Sequence, residues 1–282
     1  MESVVIYDSM FAYKNRPSSA PSQLTTQYSQ PFTLLHYPYI IQYPLQPIEM
    51  PHTPISPAIL YFGTPVAILS SENEDGTSNL APMSSVWWLG HRCMLGLDAS
   101  SKTPQNILRT KECVINLPSS DMVDHVNALA LTTGSDPVSA SKQERNYEFV
   151  KDKWTRANLT PLPSSLIQPH RILECPVQME CELTMTHPML QDLFGTSGPL
   201  YALEMRVVKI WVRDELRMDW YDNRIDPDKW QPMIMSFQEL YGLEGRKLGL
   251  SKLGGVREEK YRGLAEVDDV KTAEKFGADA LA

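Results

Sequence analysis

Turn signals interrupt the chain every few residues from about residue 58 onward, and this spacing limits most what it can fold into. Ala58-Ile59-Leu60-Tyr61-Phe62 and Pro65-Val66-Ala67-Ile68-Leu69-Ser70 read as short strands. Asn73-Glu74-Asp75-Gly76 follows with the Asp-Gly pair of a tight hairpin. Thr77 to Trp88 is then the returning strand. Cys93 to Leu97 and Glu112 to Leu117 supply two more, the second stopped by Pro118. Thr103-Pro104 predicts a helix to about Lys111, with Thr103 as N-cap and Pro104 in the first turn. A second helix starts at Ser119 or Ser120, with Val123, Val126 and Ala130 along one face. Residues 132 to 170 read as loop-rich. Between Ile172 and Met185 the pattern alternates, placing Cys175, Val177, Met179, Cys181 and Leu183 opposite Gln178, Glu180 and Glu182. Leu200 to Val212 is a further strand. Short strands with few helices, and no strand-helix alternation at helical length, argue for a mainly β, antiparallel barrel rather than a parallel nucleotide-binding sheet.

Proline divides the sequence. Nine of the 22 prolines fall before residue 60, where helix and strand interiors would exclude them. That stretch reads as an irregular extension, mobile over its first thirty residues, with aromatic anchors in Phe32-Thr33-Leu34-Leu35-His36-Tyr37-Pro38-Tyr39-Ile40-Ile41. The expected organisation is an extension over 1–54, a barrel domain over 55–242 and a glycine- and charge-rich tail over 243–282. The tail carries a helix pattern near Val270 to Phe276.

A net charge of −8, with no Lys/Arg cluster, lacks the footprint of a nucleic-acid binder. The four cysteines form no C-x-x-C pair, which argues against a disulfide scaffold or structural zinc, and they read as core residues of a protein in a reducing compartment. Glu2 and Asp8 stand where an export signal needs positive charge, and no run approaches the roughly 18 apolar residues of a membrane span. Cytoplasm is therefore the expected location.

G-x-G-x-x-G after a strand, G-x-x-x-x-G-K-[ST], H-E-x-x-H and G-x-S-x-G are all missing from the sequence. The six histidines, at 36, 52, 91, 125, 170 and 187, have no paired ligand spacing. Two segments do carry chemistry. Ser100-Ser101-Lys102-Thr103 sets two hydroxyls, an ammonium and a threonine before a helix start, where unpaired N–H groups and the positive dipole end favour a phosphate. The plainer alternative is a capping Thr103 and a solvated Lys102. Asn79-Leu80-Ala81-Pro82-Met83-Ser84-Ser85 lies on the returning strand, where Pro82 removes a ladder donor. Small Ala81, Ser84 and Ser85 let a planar ring approach the backbone. An edge strand with a bulge reads the same way.

In this order and spacing, several pieces together carry a resemblance. They are Tyr61-Phe62-Gly63-Thr64-Pro65-Val66, Glu74-Asp75-Gly76, Asn79 to Ser85, Ser101-Lys102-Thr103 with Asn106, Cys113 to Pro118, Asp152-Lys153-Trp154 and Glu174-Cys175-Pro176-Val177. Over about 55 to 240 the chain resembles the flavin reductase-like family of FMN-binding split barrels. Met83 stands where family members often carry an aromatic, and Gly198 to Ala202 lacks the histidine of many bacterial two-component reductases.

The resemblance implies a closed antiparallel split β-barrel, a homodimer, and FMN, or FAD in its place, bound non-covalently near the subunit interface. Asn79, Ala81, Pro82, Met83, Ser84 and Ser85 would line the ring and ribityl chain. Ser100, Ser101, Lys102 and Thr103 would hold the phosphate. The implied activity is hydride transfer from NAD(P)H to flavin, which needs no protein nucleophile. Two further readings stay open. One is an FMN-carrying protein that retains its flavin and serves a partner such as an oxygenase, or acts on an organic substrate. The other is a barrel-shaped interaction module without a cofactor.

Overall fold

A computed structural model describes residues 52–196, 198–221, 223–243, 247–249 and 251. The aromatic anchors at 32–41 and the tail helix near 270–276 lie outside the described residues. The chain divides into two units, Met1–Leu60 and Tyr61–Ala282. Residues 52–60 of the first form neither helix nor strand.

The second unit begins with five strands: β1 (Phe62–Pro65), β2 (Ala67–Glu72), β3 (Ser78–Met83), β4 (Val86–Leu89) and β5 (Arg92–Asp98). Helix α1 (Lys102–Thr110), strand β6 (Glu112–Leu117) and helix α2 (Val123–Ala130) follow. Residues 132 to 172 hold only short pieces: β7 (Thr132–Thr133), α3 (Ala140–Glu144), β8 (Glu148–Phe149), α4 (Lys153–Ala157), β9 (Pro161–Leu162) and β10 (Arg171–Ile172). Two 13-residue strands, β11 (Val177–Met189) and β12 (Leu200–Val212), flank α5 (Gln191–Phe194). A 3-10 turn at Asp214–Leu216 precedes β13 (Met233–Ser236) and β14 (Glu239–Gly242).

One seven-stranded sheet in the order β3-β2-β6-β11-β12-β5-β4 dominates, and every pairing in it is antiparallel. Its two outermost strands are neighbours in sequence, joined only by Ser84-Ser85. Laid flat, seven strands spaced about 4.8 Å apart would separate these edges by about 29 Å. Three peptide steps from Met83 to Val86 reach about 11 Å at most. The sheet must therefore roll.

No β3–β4 ladder seals the roll. The expected closed barrel is corrected accordingly: the hydrogen-bonded sheet stays open, and the seam is bridged covalently at Ser84-Ser85. The single strand expected over Thr77 to Trp88 is likewise two strands at opposite edges. Pro82, lacking an N–H, sits on edge strand β3 opposite Ile68, where the missing donor faces no second strand. At the seam the Gly96 N–H donates to Ser85 O at 2.8 Å, and a Cβ on Gly96 would stand 3.0 Å from Ser85 Cβ.

Alternation along the strands creates two cores. Ala67, Leu69, Val86, Cys93, Leu95, Ile107, Cys113, Ile115, Met179, Cys181, Leu203, Met205 and Val207 fill one face. Val66, Ile68 and Leu80 point the other way, packing with Met122, Val126, Leu129, Ala157, Ile172, Cys175 and Met233. All four cysteines are buried and free. Cys175 does not share the face of Cys181, because β11 starts only at Val177 and Cys175 belongs to the second core. On the polar face of β11, Gln178 and Glu180 are buried and Glu182 is partly exposed. Glu180 is fully buried, accepting hydrogen bonds from the Ser165 and Leu166 N–H groups and from Trp211 Nε1. Burial pushes the Glu180 carboxyl up, but these donors and Arg171 hold it below the ordinary glutamate range.

The first expected strand starts late. Ala58 to Tyr61 forms no strand, because β1 pairs with β13 only from Phe62 onward. The β13–β14 hairpin that completes this small sheet gives no signal in the sequence reading. Among the described residues no helix is long and apolar enough to cross a membrane.

Asn116, fully buried on β6, ties the layers together. Its Nδ2 donates to Ile68 O at 3.0 Å and to Ser70 Oγ at 2.9 Å, while Oδ1 accepts from the Ile172 N–H at 2.9 Å. Asn116→Leu should lower the unfolding free energy by roughly 2–4 kcal/mol in a urea titration, since buried partners are left unpaired. An unchanged midpoint would show that these groups find other partners.

Candidate functional site

Polar groups that the apolar cores do not absorb converge where β3, the start of α1, the segment from Thr132 to Lys142 and α4 meet. Ser101, rather than Thr103, occupies the N-cap of α1, with extended φ −79° and ψ 151° and no side-chain capping bond. No acidic residue lies in the first turn. The positive end of the helix and its leading N–H groups thus have no side-chain compensation from the cap.

Thr103 lies inside the first turn, 4% exposed, and its Oγ1 accepts from Asn79 Nδ2 at 2.9 Å. This replaces its expected capping role. Lys102 reaches the β2–β3 turn, where its Nζ donates to Glu74 Oε2 at 2.5 Å. That bond holds the Glu74 carboxyl below the usual range. Ser100 turns back on the β5 end, its N–H and Oγ both donating to Asp98 Oδ1, at 2.8 and 2.7 Å.

The other end of β3 is built differently. Ala81, Pro82 and Met83 are half-buried along the sheet edge and Ser84 is buried. Ser85 Oγ shares a 2.9 Å hydrogen bond with the Tyr61 hydroxyl. Strand β3 therefore touches the second candidate segment at one point only: Asn79 meets the α1 start directly, and Ala81 to Ser85 lead away from it toward the seam.

The sequence reading did not place Lys142, Lys153 or Gly134 in a site. Lys153 opens α4, whose Asp152 N-cap accepts from the Thr155 N–H at 3.1 Å. It is 2% exposed and donates to Asn79 Oδ1 at 2.9 Å and Leu80 O at 2.8 Å. Lys142 is also buried and donates to Thr133 Oγ1 at 3.3 Å. Neither has a carboxylate within ion-pair distance among the described residues. Burial first, then the positive charge of Lys142, pulls the Lys153 ammonium down to about 7. Burial also lowers Lys142, against the pull of Asp98. Gly134 packs so closely that a Cβ there would stand 2.6 Å from Asn79 Oδ1 and 3.1 Å from Lys102 Cγ. A lysine in Asp152-Lys153-Trp154 looks solvated in one dimension. Only the fold shows that it points inward.

Among the described residues, two buried lysines whose acceptors are all neutral lie near a helix start with no side-chain cap, which leaves the region electropositive. A phosphate group fits that chemistry.

The Lys153 environment predicts a pH effect. Unfolded, it titrates near its ordinary 10.5; folded, near 7. Between those values the unfolded chain holds a proton that the folded chain has released, so this group makes stability rise with pH. The melting-temperature difference, wild type minus Lys153→Met, should increase as pH goes from about 7 to about 9. A constant difference would show that the ammonium is not desolvated.

Comparison with known proteins agrees with the fold. The sequence pattern described as flavin reductase like domain matches residues 59–227. An uncharacterized Bacillus subtilis protein, YdfE, is 37% identical over 195 residues, 69% of this chain and 90% of its own length. Flavoredoxin of Desulfovibrio vulgaris superposes with a TM-score of 0.59 at 17% identity, covering 73% of this chain and all (100%) of that one. The 2-nitrobenzoate 2-nitroreductase NbaA of Pseudomonas fluorescens gives a TM-score of 0.52 at 20% identity, covering 67% and 85%.

Proposed function

This chain belongs to the flavin reductase-like domain family, and on that premise we propose that it binds FMN and works as an NAD(P)H:flavin oxidoreductase. The observation that carries the proposal is the pair of buried lysines with no ion-pair partner among the described residues, near the uncapped start of α1 and next to a proline-bearing edge strand. A phosphate answers the charge, and the strand offers small side chains beside it.

In this reading the leading N–H groups of α1, Ser101, Lys102 and Thr103 hold the phosphate, with Lys142 supplying positive potential from behind. Ser100 contributes through the Asp98 turn that shapes the approach to the helix. Asn79, Ala81, Pro82, Met83, Ser84 and Ser85 border the ring and ribityl chain. FMN, when bound, supplies the hydride chemistry, so the chain needs no nucleophile of its own. Its residues bind, orient and exclude water. FMN is favoured over FAD because the donor set gathers at one anionic group.

Exposed Trp87 and Leu89 on edge strand β4, at 57% and 71%, favour a homodimer, since an apolar sheet edge is a pairing surface. Light scattering should give about twice the chain mass of 31.9 kDa. A monomer at micromolar concentration would exclude this use of the edge.

The cofactor reading is tested on purified protein loaded with FMN. Replacing Lys102 and Thr103 together by Ala should weaken FMN binding by roughly 2–4 kcal/mol, since charged hydrogen bonds contribute about 1.5–3 kcal/mol each. Unchanged affinity in the folded double variant would remove both residues from the site. NAD(P)H oxidation that scales with added free flavin identifies a reductase that releases its product. Slow turnover with retained flavin identifies a protein that passes electrons onward, and failure to take up flavin overturns the proposal.

A further inference from the structure

Three side chains from three elements form a directed relay at the site. Lys153 of α4 donates to Asn79 Oδ1, and Asn79 Nδ2 of β3 donates to Thr103 Oγ1 of α1, both at 2.9 Å. All three residues are buried, at 2%, 1% and 4% exposure. Water therefore does not compete for these bonds.

The direction of the relay follows from what each group can do. In its ammonium form Lys153 has hydrogens only to give, so the Asn79 amide then presents its oxygen to it. The amide nitrogen is then turned toward Thr103, whose oxygen receives that hydrogen. The Thr103 hydroxyl keeps its own O–H to give elsewhere. With the amide reversed, two donors would face each other at Lys153 and Thr103 would have to donate inward. Gly134 helps to fix the amide, because any side chain at that position would strike Asn79 Oδ1. The Leu80 carbonyl holds Lys153 from a second side, at 2.8 Å.

We propose that Lys153 is a positioning residue for flavin selection: acting through Asn79, it keeps the Thr103 hydroxyl an outward donor at the start of α1 and so favours a phosphorylated flavin over an unphosphorylated one. The inference rests on the FMN reading and deepens it. Lys153 itself does not touch the phosphate. Its effect passes through two hydrogen bonds, and this separates it from a simple electrostatic contribution.

The test compares the affinities of the full chain for FMN and riboflavin, which differ only in the phosphate, by quenching of flavin fluorescence. Thr103→Val and Lys153→Met should each reduce the FMN-to-riboflavin affinity ratio about tenfold, with riboflavin affinity nearly unchanged. The double variant should lose no more than either single one, because both remove the same donor. Thr103→Ser should restore the ratio. Asn79→Ala breaks the relay while leaving the ammonium in place, so it tests the inference independently should Lys153→Met not fold, and it should lower the ratio similarly.

Additive losses in the double variant would assign Lys153 a through-space effect and overturn the relay. So would an unchanged ratio in Lys153→Met or Asn79→Ala. A wild-type chain that binds both flavins equally would overturn the relay while the flavin reading stands. One that binds neither would overturn both.

Discussion

A buried lysine with no carboxylate within ion-pair distance among the described residues is the constraint on which this site depends. Removing such a group from water costs several kcal/mol unless the protein supplies acceptors. Here the acceptors are one carbonyl, at Leu80, and one amide oxygen, at Asn79. The amide is in turn committed to Thr103, so α4, β3 and α1 are held in one arrangement. Lys142 adds a second buried charge nearby and makes the first more expensive. Stability is given up locally, and an electropositive corner is the result. That is the usual relation between strained electrostatics and binding sites.

The rolled sheet places this corner at one end of edge strand β3. Because β3 and β4 are consecutive but sit at opposite edges, the chain at Ser84-Ser85 must cross the seam. The same strand therefore starts near Lys153, and the link that follows it sets Ser85 against Tyr61 and Gly96. Seven-strand closure by hydrogen bonds would have occupied the β3 edge. The open seam leaves it available, and Pro82 on that edge fits the lack of a second ladder.

Much of this was legible along the chain. β6 and β12 match their predicted spans because each is an uninterrupted apolar or alternating run ended by proline or a change of pattern. The Asp75-Gly76 turn forms as expected, with Gly76 at φ 78°, a conformation that glycine adopts without a Cβ penalty. Reading failed where the deciding partner was distant. Thr103 looks like a cap until Asn79 claims its oxygen, and the alternation of β11 does not show that the turn at Ser165 and Leu166 closes over Glu180. Thr77 to Trp88 looks like one strand because the bend at Ser84-Ser85 involves neither glycine nor proline.

Local pattern by itself determined the mainly β class of fold, the positions of most long strands and the start of α1 within two residues. These follow from periodicity and turn chemistry, which act between neighbours. Tertiary structure alone decided that Lys153 and Lys142 point inward, that Gly134 abuts Asn79, and that the sheet stays unsealed. Burial and charge are properties of what surrounds a side chain, and those surroundings come from elements far apart in sequence.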